Sequence, residues 1–149
     1  IFNNSPVHQA IGEKIQSDFA AVGITLEIEA KDWTSYLDVL DEKEYSIARN
    51  GWVADLDDPM EFLRMWMSDD TDNDVGLGCG EHAGVKAYSL DLTAYGIDVK
   101  VENGTWTETY DKLIEVIEGC EDTETSYALM HLAEDMLMDT GCIMPLYYY

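Results

Sequence analysis

Positive charge is scarce in this sequence. Eight Lys and Arg stand against 31 Asp and Glu, a net charge of −23, and a surface of that sign repels phosphate backbones and anionic lipid headgroups. Nucleic-acid binding is excluded as a class on that ground. The acidity can draw in cationic ligands, but it serves more simply to keep a surface soluble. Cysteine is equally sparse: three in 149 residues require no disulfide framework, and an odd count leaves at least one unpaired or bonded to another chain. Cys120 and Cys142 flank a predicted helix about 24 Å long at 1.5 Å per residue, too far apart to bridge. A bond from Cys79 to either of them stays open. No run of eighteen apolar residues and no basic-then-apolar leader occurs, so neither a transmembrane helix nor a signal peptide is read in these residues. No nucleophile elbow, phosphate-cradling glycine loop or paired His-Glu metal motif is present. Carboxylates are so abundant that a pair of them carries no acid/base meaning. Neither an enzyme nor a cofactor is indicated.

What is present is the alternation of an α/β domain, in a length that buries about two thirds of its unfolded surface. Ile1 and Phe2 begin a strand. Ser5 and Pro6 form a helix start, Ile11, Ile15, Phe19 and Val22 recur at helical spacing, and Gly23 ends the helix. Residues 24–29 alternate apolar with polar, which predicts a half-buried strand. A short helix over 34–42 should bury Tyr36, Leu37 and Leu40. A strand over 45–48 follows, and then a second helix start at Asp58-Pro59-Met60-Glu61 with Phe62, Leu63, Met65 and Trp66 as its buried stripe. Acidic and glycine residues over 68–84 read as a loop. Residues 87–92 and 97–101 read as a hairpin or protruding ribbon around 93–96, closed by Asn103-Gly104. Two amphipathic helices over 107–118 and 122–139, separated by Gly119-Cys120, precede a β-prone run over 143–149. The first and last strands read as cut mid-course from something larger.

The central stretch Ala48-Arg49-Asn50-Gly51-Trp52-Val53-Ala54-Asp55 carries the equipment for holding a ligand. Glycine admits another backbone, tryptophan offers a flat apolar platform with one donor, and Asp55 can take a charge-assisted bond from an ammonium group. Trp33 and Trp52 each sit where a strand gives way to a loop or helix, at the rim of a sheet where clefts open. On physics alone they serve equally as two core tryptophans. Asp70, Asp72 and Asp74, with Glu81 eleven residues after Asp70, imitate the ligand spacing of a calcium loop. Val75 stands where that loop needs its sharp-turn glycine and no convincing helix follows Glu81, so a solvated acidic loop is the better reading. Cys79, Glu81 and His82 lie close in sequence, yet nothing in the spacing demands that Cys142 or His131 complete a zinc site.

These pieces, in order, resemble the extracellular solute-binding proteins of family 5, the peptide-binding components of bacterial ABC importers. The likeness is carried by Asn3-Asn4-Ser5 and the helix after it, Gly23-Ile24, Asp32-Trp33-Thr34-Ser35-Tyr36-Leu37, the central stretch, Asp58-Pro59, Tyr110-Asp111-Lys112-Leu113-Ile114 and Pro145-Leu146-Tyr147-Tyr148-Tyr149. The resemblance implies an α/β fold with a mixed β-sheet covered by helices, one lobe of a two-lobed periplasmic-binding-protein (type II) architecture. Residues 1–149 would be most of the C-terminal lobe, with an inserted hairpin near 85–104 and the N-terminal lobe absent. It implies a peptide ligand added like a strand beside Gly51, Trp52 and Val53, with Asn50 and Ala54 on either side. Asp55 would meet the peptide's ammonium, Trp33 and Trp52 would wall side-chain pockets, and Arg49 is similar to a residue that helps take the peptide's carboxylate in some relatives. Leu40 stands where some relatives carry a second basic residue. The partners implied are ABC permease subunits, at an extracytoplasmic location, with any membrane anchor outside these residues. Rival readings are a non-peptide solute (a nickel chelate, haem or an oligosaccharide) and a calcium-stabilised acidic interaction module.

Overall fold

The computed structural model describes residues 1–77 and 87–148. The chain forms two compact units, Ile1–Val53 and Ala54–Tyr149. Among the described residues no helix is long and apolar enough to cross a membrane.

The first unit is built on a parallel pair. Strand β1 (Phe2–Asn3) lies beside β2 (Ala30–Lys31) with Phe2 opposite Ala30. Helix α1 (Pro6–Ala21) connects them, with Ser5 extended ahead of it, Pro6 in its first turn and Gly23 at φ +82 beyond its end. A left-handed residue there lets the chain reverse without a Cβ clash. Helix α2 (Trp33–Asp41) follows β2 directly. Its N-terminus is held by Asp32, which accepts the Ser35 N–H at 3.2 Å and the Ser35 hydroxyl at 2.7 Å. Those bonds hold the Asp32 carboxyl below the ordinary carboxylate range, the Ser35 hydroxyl contributing most.

Several expectations need correction here. The predicted strand over 24–29 is regular only in its continuation, β2; pairing begins where Phe2 N–H donates to the Glu29 carbonyl at 3.2 Å. The predicted strand over 45–48 lacks regular strand geometry, although Ile1 N donates to the Ile47 carbonyl at 2.6 Å and Arg49 N–H to the Ile1 carbonyl at 2.9 Å. That is the bonding of a parallel neighbour, so the segment flanks β1 on the side away from β2. Helix α1 buries none of its residues: Ile11, Ile15 and Phe19 are half-buried and Val22 is exposed. Its apolar stripe is real, but this unit alone does not cover it. In α2, Tyr36 and Leu40 are buried as expected and Leu37 is not.

The second unit holds the main core. Helix α4 (Trp106–Glu118) lays Trp106, Tyr110, Leu113, Ile114 and Ile117 along one face, and α5 (Thr123–Asp139) answers with Leu129, Ala133, Met136 and Leu137. Both stripes follow the helical period, and each buried side chain contributes roughly 1.5–3 kcal/mol. Thr105 and Glu108 form a reciprocal capping box on α4, and Asp122 caps α5 by accepting the Thr125 N–H at 2.8 Å. The Trp106 and Tyr110 rings stack at 4.5 Å, and the Trp106 indole N–H donates to the Met136 carbonyl at 3.3 Å.

The antiparallel pair of β3 (Tyr88–Asp91) and β4 (Lys100–Gly104) packs on α4 through Leu90 and Leu92. It is therefore a packed hairpin rather than a protruding ribbon. A Cβ at Gly104 would stand 2.5 Å from Val101 Cγ1 and 2.9 Å from Thr109 Oγ1, so the hairpin meets the start of α4 only through glycine. The predicted helix after Pro59 shrinks to one turn, α3 (Glu61–Arg64). Leu63 and Met65 are buried and Trp66 is half-buried, but Phe62 is 49% exposed, so the stripe is incomplete. The predicted last strand is irregular over 143–148, with Tyr148 fully exposed. A β-prone run becomes a strand only where a neighbour takes its main-chain bonds.

Candidate functional site

The central stretch runs through irregular backbone from residue 48 to residue 54, and the division of the chain falls inside it, between Val53 and Ala54. Trp33, Arg49, Asn50, Gly51, Trp52 and Val53 belong to the first unit; Ala54 and Asp55 belong to the second.

Within the first unit, α2 brings two of the candidates near each other. The Tyr36 hydroxyl donates to the Arg49 carbonyl, and the Tyr36 ring stands 5.7 Å from that of Trp33. Trp33, the first residue of α2, is 61% exposed and is no core tryptophan. Sequence reasoning placed Tyr36 only in the core; its hydroxyl is what fixes the backbone at Arg49. The Asn50 carboxamide oxygen accepts the Gly51 N–H at 2.8 Å. Trp52 is half-buried, and its indole nitrogen is buried with no hydrogen-bond partner among the described residues. An orphaned buried donor costs about 1–3 kcal/mol and is unusual in a settled core. Val53 is 74% exposed. Among the described residues, Trp52, Val53 and Ala54 form no main-chain hydrogen bond. Leu40, by contrast, is buried and brings no charge to this region.

Asp55 follows Ala54 in the second unit's part of the stretch. Its carboxylate is exposed and accepts no hydrogen bond or ion pair among the described residues, while its backbone N–H donates to Glu61 Oε2 at 3.2 Å. The predicted helix start has become a turn: Asp58 Oδ1 accepts the Met60 N–H at 2.9 Å, and the Asp58 carbonyl accepts the Glu61 N–H at 3.2 Å. Sequence reasoning saw Glu61 only as a capping glutamate. Its reach back to Asp55, six residues earlier, has no short-range signature.

The acidic loop is held together by an asparagine. Asn73 is buried; its Nδ2 donates to the carbonyls of Met67 at 3.2 Å, Trp66 at 3.4 Å and Leu77 at 3.4 Å, and its Oδ1 accepts the Leu77 N–H at 3.0 Å. Asp70 Oδ1 accepts the Asp72 N–H at 3.0 Å. The Asp72 carboxyl is pushed up, first by burial and then by the charges of Asp70 and Asp55. Among the described residues no three His, Cys, Asp or Glu side chains gather in a way that could hold a metal ion. Cys79, Glu81 and His82 lie outside the described residues. Cys120 and Cys142 are free thiols. His131 is exposed near Glu134, and His8 Nδ1 lies 3.4 Å from the Asn3 carbonyl.

The fold is the class of α/β substructure found in periplasmic binding proteins. An open-form structure of the periplasmic murein tripeptide binding protein MppA superposes on 95% of the chain with a TM-score of 0.72 at 19% identity, and Burkholderia pseudomallei OppA on 97% with 0.74 at 20%. Residues 1–74 match the model for bacterial extracellular solute-binding proteins, family 5 Middle. The whole chain aligns with the periplasmic oligopeptide-binding protein OppA of Salmonella typhimurium at 26% identity, and 99% of it with the oligopeptide-binding protein OppA of Bacillus subtilis at 25%. The dipeptide-binding protein DppE of Bacillus subtilis aligns with 99% of the chain at 22% identity. The chain is thus similar to the family 5 solute-binding proteins. It spans 22% of the length of these curated relatives.

Proposed function

We propose that this chain is part of the substrate-binding component of a peptide ABC transporter, acting outside the cytoplasm and delivering peptides to permease subunits. Residues 1–149 are read as one ligand-binding lobe whose partner lobe lies elsewhere in the protein, with the hairpin near 85–104 as an insertion. No chemistry is assigned to it. The observation that carries the reading is that, among the described residues, the main chain at Trp52, Val53 and Ala54 is unpaired and the carboxylate of Asp55 immediately after it is unengaged. Unpaired main-chain N–H and C=O groups are what an added strand satisfies, and such a mode reads main chain while pockets read side chains. Trp33, exposed beside Tyr36, and Trp52, with its orphaned indole nitrogen, suit the pocket walls. Asn50 accepts the Gly51 N–H, and a second backbone can approach at the glycine. Asp55 takes the peptide's ammonium. Arg49 is the candidate for the peptide's carboxylate, and Leu40, buried and uncharged, gives it no basic companion.

The experiment is calorimetry on the full-length protein with matched peptides carrying free or acetylated amino termini. Asp55→Asn removes one charge from a charge-assisted bond, so binding of the free-amine peptide should fall by about tenfold or more, with the acetylated peptide unchanged. Equal loss for both overturns the role of Asp55. Preferential binding of a nickel chelate, haem or an oligosaccharide in the same assay overturns the peptide reading itself.

A further inference from the structure

The exposed carboxylate at Asp55 stands on irregular chain, yet the backbone under it is tied down. We infer that Glu61 is a positioning residue: by accepting the Asp55 N–H it closes the 55–61 loop and fixes the direction in which the Asp55 carboxylate meets a cationic group. This rests on the reading of Asp55 as the ammonium acceptor.

Three observations converge on it. The bond from Asp55 N–H to Glu61 Oε2, at 3.2 Å, spans the loop from its first residue to the first residue of α3. The loop is tightened from within by Asp58, whose side chain and carbonyl accept the N–H groups of Met60 and Glu61. The base is itself immobilised by α4: the Tyr110 hydroxyl donates to the Leu63 carbonyl at 2.9 Å, Arg64 pairs with Glu118, and Asp111 accepts the Ser68 N–H at 3.1 Å and the Ser68 hydroxyl at 2.6 Å. Tyr110, Leu113 and Ile114 on α4 lie in the core of this unit. Rigidity therefore passes from the core helix through α3 to Glu61, and from its carboxylate to the backbone of Asp55. A carboxylate on a free loop loses conformational freedom each time it captures a ligand; one held in place beforehand has less to lose.

Two variants separate position from charge. Glu61→Gln keeps an oxygen acceptor and removes the charge, whereas Glu61→Ala removes both. The first readout needs no ligand: hydrogen exchange at the Asp55 amide of the full-length protein, followed by NMR. Glu61→Ala should speed it by about tenfold, the opening of one local bond, and Glu61→Gln should leave it within about twofold. Unchanged exchange in Glu61→Ala overturns the inference. The second readout is the preference for trialanine over N-acetyl-trialanine, measured by calorimetry. It should drop by about fivefold to tenfold in Glu61→Ala and be rescued in Glu61→Gln. Equal losses in the two variants would make the charge of Glu61 the cause and overturn positioning. No preference in the wild-type protein, with Asp55→Asn also silent, would overturn the ammonium reading and the ligand half of this inference together; the exchange experiment still reports separately whether Glu61 holds Asp55.

Discussion

Asn73 offers the sharpest test of how the acidic loop is built. Its carboxamide makes four contacts with main chain, and the two best, from Nδ2 to the Met67 carbonyl at 3.2 Å and from the Leu77 N–H to Oδ1 at 3.0 Å, lie in buried surroundings. Replacing it with alanine removes these bonds and strands their main-chain partners, each stranded group costing about 1–3 kcal/mol. The weaker contacts at 3.4 Å add little, so the expected loss is about 2–4 kcal/mol. In a unit of this size, whose thermal midpoint moves roughly 4–8 °C per kcal/mol, that lowers the midpoint by about 10–30 °C. Asn73→Asp keeps the acceptor but aims a carboxylate at three carbonyl oxygens, and should be at least as damaging. A calcium loop would behave otherwise: an added carboxylate among Asp70, Asp72 and Asp74 would be neutral without metal and would strengthen a calcium-induced rise in the midpoint. Denaturant unfolding followed by circular dichroism, with and without calcium, decides. A loss below about 0.5 kcal/mol in Asn73→Ala, or a calcium-dependent gain in Asn73→Asp, refutes the assignment of Asn73 as the loop's anchor.

The α4 cap gives a smaller, local effect: Thr105→Ala breaks the capping box with Glu108 and should cost about 1 kcal/mol in denaturant unfolding, while no change would show the cap to be redundant. The hairpin gives a pH dependence. Burial, then the bond to Asp139 at 2.6 Å and that carboxylate's charge, push the Tyr88 phenol up to about 12. Between the ordinary tyrosine value of 10.0 and about 12 the unfolded chain has lost this proton while the folded chain keeps it. The contribution is therefore complete below pH 10 and is lost as the pH rises toward 12. Stability of the wild-type protein should fall across that window, and Tyr88→Phe should flatten the decline; identical slopes for the two proteins would show that Tyr88 does not titrate this way.

Much of the local structure was legible from residue order. Helices α1, α2, α4 and α5 came from apolar periodicity and the ends of α1 from Ser5-Pro6 and Gly23, because stripes and helix-end residues act at short range, whereas the caps at Asp32, Thr105 and Asp122 were identified only in the structure. The candidate stretch was equally visible, since a glycine, an indole and a carboxylate within five residues announce their chemistry wherever the chain goes. Strands were read less well. Residues 24–29 and 143–148 have the alternation or β-branched character of strands but lack regular pairing, because a strand depends on a neighbour that its own sequence does not specify.

By itself, then, the sequence determined the acidic character, the helical faces and the residue types of the candidate site. Only the tertiary structure decided that the hairpin packs on α4, that Tyr36 bonds the backbone at Arg49, that Asn73 ties the acidic loop, and that Glu61 reaches Asp55. The physical reason is range. Periodicity and capping act within one or two turns, whereas these contacts are selected by how elements pack, and a single buried hydroxyl or carboxamide satisfies main-chain groups that no local pattern could pair with it.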